Sequence, residues 1–309
     1  MLIRINGGTA MMRILGIVGV QVCICVPIIV FQFCKGKEFF SKEYWGYALR
    51  IGIPIVPHYL SGIILNQGDR IMIDKMVGKT EVALYGLAYS IGMLVQLFIS
   101  GMNSALTPWM YSKIKKGDIR SMRKVLQLLS VVVVGIAVAL MLISPELVLI
   151  FGSPKYREAV YVIPPVAASV FFIFIYNILS MPQFYYEKTQ FLMAASMAAA
   201  GANVVLNFIF IRLFGYIAAG YTTLACYMLY SVGHYIVSKR ILVNEGIQEN
   251  LMNPGFLLAC SVFLIGASII CNLIFPYRIL RYAILLASAG LVFWKKELLL
   301  KTMADIRKK

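Results

Sequence analysis

VALYGLAYSIGMLVQLFISGMNSALTPWMYS, residues 82–112, is a run of 31 residues that contains no Lys, Arg, Asp or Glu. A second run, Asn250–Tyr277, extends over 28 residues without one. An α-helix needs about 20 apolar residues to cross the hydrocarbon core of a bilayer, so either run is long enough to span it. These two runs favour a membrane protein over a soluble one.

The rest of the chain repeats this pattern. Hydrophobic residues make up 61% of the sequence and charged residues 14%, whereas a soluble domain has about 25% charged residues. The stretches are apolar on all sides, which is typical of helices that contact lipid or a large buried core. The sequence therefore predicts an all-α fold, a polytopic transmembrane helical bundle with nine spans, near 14–34, 47–67, 83–107, 125–144, 160–182, 189–211, 215–237, 253–275 and 277–294.

The ninth span is the weakest of these predictions. Arg278 and Arg281 stand at its start, and we expect both side chains to extend towards the lipid headgroups. The first span resembles a signal peptide in following basic residues, but its apolar run from Ile14 to Phe33 is too long for one. A retained helix is the better interpretation.

The basic residues predict the orientation. With the N-terminus outside and the C-terminus inside, 19 of the 29 Lys and Arg residues fall in inside segments and 10 in outside ones. The two richest inside segments are Lys113–Lys124 and Lys295–Lys309. Cytoplasmic loops carry such an excess in helical membrane proteins. We therefore interpret the net charge of +16 as a contact with membrane lipids, with no nucleic acid as a partner.

Cysteine and histidine residues do not predict a metal site. The six cysteines lie in or next to apolar stretches, where thiols act as small hydrophobic groups, and the chain has only two histidines. The sequence also contains no phosphate-binding glycine loop and no paired catalytic carboxylates. We expect no metal, no catalytic residues and no enzyme activity.

Several phrases, taken in order, resemble the carboxy-terminal portion of a polysaccharide/oligosaccharide flippase. The family is the polysaccharide transporters of the multidrug/oligosaccharidyl-lipid/polysaccharide exporter superfamily. The phrases around its seventh and eighth helices are IPIVP (53–57), LNQGDRIMI (65–73), VG (77–78), VALYGLAY (82–89) and PWMY (108–111). Those further along are FGSPKY (151–156), VIP (162–164), NFIFI (207–211) and FGYIAAG (214–220). Each phrase is weak alone, and their order makes the resemblance specific.

The resemblance implies an architecture. The nine spans would correspond to the sixth to fourteenth helices of a MATE-like flippase fold. Residues 1–46 would then be the last helix of an otherwise missing N-terminal bundle, 47–242 a C-terminal six-helix bundle, and 243–309 two additional transmembrane helices with a basic cytoplasmic tail. On this basis we expect an N-terminally truncated chain.

The resemblance also implies a function. The protein would translocate a polyprenyl-diphosphate-linked oligosaccharide across the bacterial or archaeal cytoplasmic membrane, for the synthesis of O-antigen, capsule or exopolysaccharide. It implies no cofactor, and coupling to H⁺ or Na⁺ stays open, as do other polysaccharide-assembly proteins as partners. The alternatives are a MATE-like drug or cation antiporter and an inactive fragment. A membrane enzyme, such as a polymerase, is disfavoured because no large loop is present.

Polar residues inside the spans are the candidates for the substrate cavity, since such residues usually face a bundle interior or water. Asn66, Arg70 and Asp74 follow each other at four-residue spacing on one helical face, with Asp69 beside Arg70. These residues could form the outer mouth of the cavity, or an ion pair that fixes a turn between helices.

The four further candidates are Arg50, His58, Asn177 and Gln183, and the first two have two interpretations each. Arg50 could attract the diphosphate or anchor the helix at the cytoplasmic surface. His58 could take part in proton coupling or be a neutral, hydrogen-bonded histidine beside Pro57. Asn177 and Gln183 could line the cavity near Pro182. The pair Asn203 and Asn207 fits helix packing better than substrate binding.

Overall fold

The chain folds into α-helices, as the computed structural model of residues 10–37 and 40–294 shows. Within these residues there is no β-strand. One 3₁₀ helix, Pro154–Val162, precedes the central helix. The α-helices are α1 Ala10–Gly36, α2 Lys42–Met76, α3 Lys79–Gly92, α4 Leu94–Lys115, α5 Ile119–Phe151, α6 Ile163–Tyr185, α7 Thr189–Phe214, α8 Ala218–Asn244, α9 Pro254–Ile274 and α10 Arg278–Trp294.

The chain divides into two compact units, Met1–Gly52 and Ile53–Lys309. The first contains α1 and the start of α2. Along α1 large apolar side chains such as Ile17, Val20 and Phe31 are exposed, as expected of a helix that faces lipid. The predicted domain boundaries at residues 46 and 242 stay predictions, and the basic tail 295–309 lies outside the described residues.

Helix α6 forms the centre of the second unit. In the most apolar stretch of the 3₁₀ helix and α6, 89% of the residues are buried. Helix α6 contacts α3, α4, α5, α7, α8 and α9. Its buried residues include Phe171, Phe174 and Ile178, together with small residues such as Ala167 and Ala168. A helix that is apolar on every face suits this position, because every face meets another helix.

Two glycines let neighbouring backbones approach this centre. A Cβ atom on Gly92, at the end of α3, would lie 2.7 Å from Val166 Cγ1 of α6. A Cβ atom on Gly220, in α8, would lie 3.1 Å from Pro165 Cγ and 3.3 Å from the carbonyl oxygen of Val162. Small residues at such crossings allow the tight packing that holds membrane helices together.

Three segments of the chain lie together at one end of the second unit. The 3₁₀ helix contacts both α3 and α8 there. Burial raises the pKa of the Tyr216 hydroxyl, and the nearby carboxylates of Glu158 and Glu81 raise it further. The 3₁₀ helix, the start of α3 and the α7–α8 connection therefore lie together, on the side that the charge pattern assigns to the outside.

The predicted all-α membrane fold is confirmed, whereas the predicted number of nine spans is not. In the described residues six helices are long and apolar enough to cross a membrane, or seven if α3 and α4, bent by about 40° at Met93, form one broken span. The two remaining predicted spans are helices too, namely α8 and α10. Helix α8 carries many Tyr and Thr residues, and α10 has only 17 residues.

Arg281 differs from its prediction. Its side chain does not extend to the surface but is 3% exposed, and it donates two hydrogen bonds of 2.8 Å to the carboxylate of Glu146 on α5. A third bond of 2.6 Å reaches the carbonyl oxygen of Leu142. The bidentate pair joins α10 to α5, and a buried charge is tolerated because it is paired.

Candidate functional site

A cavity of about 430 Å³ lies between α2, α6 and α8 in the second unit. Its wall is made of aromatic rings, amides and hydroxyl groups. Within the described part of the chain, no Lys, Arg, Asp or Glu belongs to this lining. The polar and aromatic members are His58, Tyr59, Asn66, Gln67, Tyr176, Asn177, Ser180, Phe184, Tyr227 and Tyr230.

Helix α2 contains two prolines in its first half, beside the residues that line the cavity. Pro54 and Pro57 lack a backbone N–H group, so the carbonyl groups of Arg50 and Ile53, one turn earlier, lose their usual partner. Membrane helices tolerate prolines where neighbouring groups or water satisfy such carbonyls. The helix nevertheless continues to Met76, and the Ser61 hydroxyl donates a hydrogen bond of 2.7 Å to the carbonyl oxygen of Pro57.

His58 is held by two hydroxyl groups from other helices. Its Nδ1 lies 2.5 Å from Ser196 Oγ on α7 and 3.1 Å from the Tyr230 hydroxyl on α8. The two hydroxyl groups are themselves 2.8 Å apart. The rings of Tyr176 and Tyr230 lie 4.4 Å apart between centroids, so the histidine and the tyrosines form one wall of the cavity.

Asn66 joins the cavity to the interior of the bundle. Its Oδ1 accepts hydrogen bonds from the hydroxyl groups of Tyr89, at 2.9 Å, and Tyr227, at 3.2 Å. Its Nδ2 donates to the carbonyl oxygen of Gly62 at 2.7 Å. The amide is therefore fixed in orientation by helices α3 and α8, as a residue that positions a ligand needs to be.

Behind Asn66 lies a buried carboxylate, Asp69, which has no measurable exposure. It accepts hydrogen bonds from Tyr85 of α3, from Asn207 Nδ2 of α7 at 2.6 Å, and from Thr223 Oγ1 of α8 at 2.8 Å. All three donors are neutral. We call Asp69, Tyr85, Asn203, Asn207, Thr222 and Thr223 the Asp69 cluster.

The Asp69 cluster has more capacity for hydrogen bonding than it uses. Asn207 donates to Asn203 Oδ1 at 3.1 Å, and Thr222 donates to Asn207 Oδ1. The Nδ2 atom of Asn203 is buried and has no partner among the described atoms. An ionised carboxylate with only neutral neighbours is unfavourable in a membrane interior, so the cluster is suited to take up a proton or a small cation.

Three of the predicted site residues line the cavity: His58, Asn66 and Asn177. Gln183 is fully buried, and its Nε2 lies 2.8 Å from Nδ1 of His234 on α8. Arg50 is exposed in the first unit. The predicted residues thus divide between the cavity wall, the core and the surface.

Asp69 and Arg70 are adjacent in sequence and have different surroundings. The Arg70 guanidinium lies 4.9 Å from the centre of the Tyr89 ring, and it donates hydrogen bonds to Gln67 and, at 3.4 Å, to the carbonyl oxygen of Asn66. The ion pairs found in the described residues do not include one between Asp69 and Arg70. Asp74 is exposed, so among the three predicted residues Asn66, Arg70 and Asp74 only the first two are partly buried.

The partners of Asp69 were missed as site residues. Asn207 and Thr223 lie 138 and 154 positions away in the sequence. The four-residue spacing of Asn203 and Asn207 was a signal, but the many small residues around them favoured a packing role. The pair Thr222 and Thr223 in an otherwise apolar segment was a second signal, since polar side chains in a membrane helix usually face a partner.

The fold and the site together define a polytopic membrane protein with an uncharged polar cavity beside a buried carboxylate. Residues 7–115 match the family model described as "Polysaccharide biosynthesis protein". The matched residues include α2 and α3, which contribute Asn66, Asp69 and Tyr85. This match confirms the resemblance to the polysaccharide transporter family, and over these residues the chain is similar to polysaccharide biosynthesis proteins.

Two curated relatives come from Haemophilus influenzae (strain ATCC 51907 / DSM 11121 / KW20 / Rd). "Lsg locus putative protein 1" is 28% identical over 172 residues, which are 52% of this chain and 41% of that protein. A protein described as "Uncharacterized membrane protein" is 29% identical over 191 residues, 58% of this chain and 46% of that protein. The chain thus spans less than half the length of either relative. No solved structure matches it.

Proposed function

We propose that this protein is a carrier, and not an enzyme, which moves a polyprenyl-diphosphate-linked oligosaccharide from the cytoplasmic to the outer leaflet of the cytoplasmic membrane. The product would be a surface polysaccharide such as O-antigen, capsule or exopolysaccharide. The observation that carries the proposal is the cavity, whose lining is aromatic, amide and hydroxyl in character without a charged side chain among the described residues. The match to a polysaccharide biosynthesis family supports a sugar as its occupant.

The cavity suits sugars for a chemical reason. Sugar rings present C–H faces that pack on aromatic rings, and hydroxyl groups that exchange hydrogen bonds with amides. Tyr59, Phe184 and Tyr176 supply the rings, while Asn66 and Asn177 supply the amides. A diphosphate needs a cation instead, and we assign it to Arg70, which lies one helical turn from Asn66 over the Tyr89 ring.

Binding of a lipid-linked oligosaccharide by the full chain in detergent tests this proposal. Tyr59 is 66% exposed and lines the cavity, so Tyr59→Ala should weaken binding about tenfold, as loss of an aromatic contact of about 1–1.5 kcal/mol implies. Phe263, on α9, is 56% exposed and is not part of the cavity lining. Phe263→Ala is therefore the matched control and should bind as the unaltered protein does.

The comparison of ligands gives the second half of the test. A polyprenyl diphosphate without sugar should bind more weakly than the oligosaccharide form, and Arg70→Gln should weaken both. If Tyr59→Ala and Phe263→Ala bind the oligosaccharide form equally, the cavity is not its site.

Transport is then measured in proteoliposomes as the fraction of sugar that becomes accessible to a glycosidase added outside. An antiporter for drugs or cations would leave that fraction unchanged.

We further propose that the coupling ion, H⁺ or Na⁺, binds at the Asp69 cluster. Asp69 has only neutral donors around it, and the carbonyl oxygens of Asn203 and Asn207 and the hydroxyl groups of Thr222 and Thr223 are oxygen ligands of the kind that hard cations prefer. Rotation of an Asn amide would exchange donor and acceptor positions within the cluster. The carboxylate can thus be neutralised by either ion.

Thermal stability in two salts separates the two ions. A ligand that binds only the folded protein raises its midpoint of unfolding, so Na⁺ should stabilise the chain against choline at equal ionic strength if Na⁺ is the ion. If H⁺ is the ion, lower pH should stabilise the protein, and Na⁺ should not. In Asp69→Asn either response should disappear, whereas Asp74→Asn should retain it. Equal responses of the two variants would place the ion elsewhere.

A further inference from the structure

A second cavity lies next to the start of α6, where α5 ends and α10 begins. It has a volume of about 600 Å³ and is formed by α5, the 3₁₀ helix and the α9–α10 connection. Five charged side chains line it: Glu146, Arg157, Glu158, Arg278 and Arg281. We call this cavity the arginine cleft.

The arginine cleft has an excess of positive charge. Three arginines face two carboxylates, and Glu146 is already occupied by Arg281 through two hydrogen bonds of 2.8 Å. Arg278 is 72% exposed and reaches Glu146 only at 4.0 Å, which is too long for a hydrogen bond. Its charge, and that of the exposed Arg157, are therefore available to a ligand.

The buried arginine offers a further donor. Arg281 is 3% exposed, and both of its terminal nitrogens are engaged with Glu146 and Leu142. Its Nε atom is buried and has no hydrogen-bond partner in the part of the chain that the structure describes. An unpaired buried N–H group is unfavourable, so an acceptor that reached it in the cleft would be stabilised there.

The surroundings of the cleft favour a lipid over a soluble anion. Leu149 and Tyr161 line it, and the neighbouring Ile150 and Phe151 are 72% and 61% exposed. Charged groups at the end of a transmembrane helix lie at the depth of the headgroups, and apolar side chains next to them lie at the depth of the acyl chains. The cleft therefore offers cations to a headgroup and an apolar wall to the chains below it.

We propose that the arginine cleft binds the phosphate-bearing headgroup of an anionic membrane lipid, with phosphatidylglycerol as the chemical type. The phosphodiester would accept hydrogen bonds from Arg157, Arg278 and the free Nε of Arg281. The excess of one positive charge selects a lipid with net charge −1 over a zwitterionic one. This site lies on different helices from the sugar cavity, so the proposal is independent of the transported substrate.

Native mass spectrometry of the full chain in detergent, titrated with phosphatidylglycerol, phosphatidylcholine and inorganic phosphate, tests the proposal. We expect phosphatidylglycerol to bind about tenfold more tightly than phosphatidylcholine. The double variant Arg157→Gln/Arg278→Gln should lower that affinity at least about tenfold, the change that the loss of one charge-assisted hydrogen bond produces. Both residues are exposed, so the variant should fold.

The control removes the same charge elsewhere. Arg212, on α7, and Arg240, on α8, are exposed and lie outside the cleft lining, so Arg212→Gln/Arg240→Gln should bind phosphatidylglycerol as the unaltered chain does. Equal losses in both double variants would mean a general effect of charge and would overturn the site. Displacement of the lipid by an equal concentration of inorganic phosphate would identify a free-phosphate site and overturn the assignment to lipid.

Discussion

Asp69 connects several helices at one buried point, so its side chain is expected to contribute to the stability of the folded protein. It accepts three hydrogen bonds from three different helices, and every one of its partners is buried. A residue of this kind holds helices α2, α3, α7 and α8 together at one point. Hydrogen bonds between membrane helices contribute on average about 0.6 kcal/mol each, but they act here as a group.

Replacement of Asp69 by Ala should therefore destabilise the protein. Three buried donors would lose their acceptor, and we expect the midpoint of thermal unfolding in detergent to fall by at least about 2 °C. Asp74→Ala, on the exposed face of the same helix, should leave the midpoint within error. Asp69→Asn should lie between the two, because its amide keeps one acceptor. A midpoint for Asp69→Ala equal to that of Asp74→Ala would show that the cluster adds nothing to stability.

The candidate residues could be predicted from sequence only where one helix was enough to identify them. A polar side chain in an apolar segment faces the interior, and this reasoning located His58, Asn66 and Asn177 on the cavity wall. It could not pair Asp69 with Asn207 and Thr223, because helix spacing says which residues share a face and not which face meets another helix. Those contacts depend on how α2, α7 and α8 pack.

At the scale of elements, the approach of α3 to α6 depends on the absence of a side chain. Gly92 lies so close to Val166 that a Cβ atom would be 2.7 Å from its Cγ1 and 2.9 Å from its Cβ. One helix would have to move by several tenths of an ångström to accept even a methyl group. Directly after this glycine, at Met93, the chain bends by about 40° between α3 and α4. The close contact between α3 and α6 therefore lies at the end of α3.

Gly92→Ala should consequently destabilise the protein by about 1–3 kcal/mol, as overpacking of a core does. The matched control is Gly101→Ala in α4, where a Cβ atom would have no neighbour within 4 Å. That change should be neutral or slightly stabilising, because alanine is the better helix former. Thermal unfolding in detergent distinguishes the two, and an equal response would mean that α3 and α6 separate at no cost.

The elements themselves followed from the sequence, with instructive exceptions. Every predicted span coincides with a helix or, for residues 83–107, with the broken pair α3 and α4. Helix α8 has no stretch apolar enough to count as a span, and it contributes Thr222, Thr223, Tyr227 and Tyr230 to the interior of the bundle. Hydropathy scores a helix by how well its residues suit a lipid environment. A helix whose polar face is covered by protein therefore has a low score even when it lies within the membrane.

At the scale of the whole molecule, the charge pattern makes a prediction about orientation. Lys116 follows α4 and Lys155 lies in the 3₁₀ helix, and both are exposed. In a background without the six native cysteines, Lys155→Cys should react with a membrane-impermeant thiol reagent added to intact cells, and Lys116→Cys should react only after lysis. The two variants are controls for each other. The reverse pattern would invert the proposed topology.

The burial of α6 also bears on the order in which the helices are made. This helix leaves the ribosome before α8 and α9, which cover part of it in the folded protein. Its two buried serines, Ser169 and Ser180, donate to carbonyl oxygens of their own helix, Val166 at 2.6 Å and Asn177 at 2.8 Å. Helix α8, synthesised after α2 and α7, also carries hydroxyl groups that bond to those helices: Thr223 to Asp69, Tyr227 to Asn66 and Thr222 to Asn207. The serine hydroxyl groups of the earlier helix are thus satisfied within that helix, whereas these three groups of the later helix bond to helices that already exist.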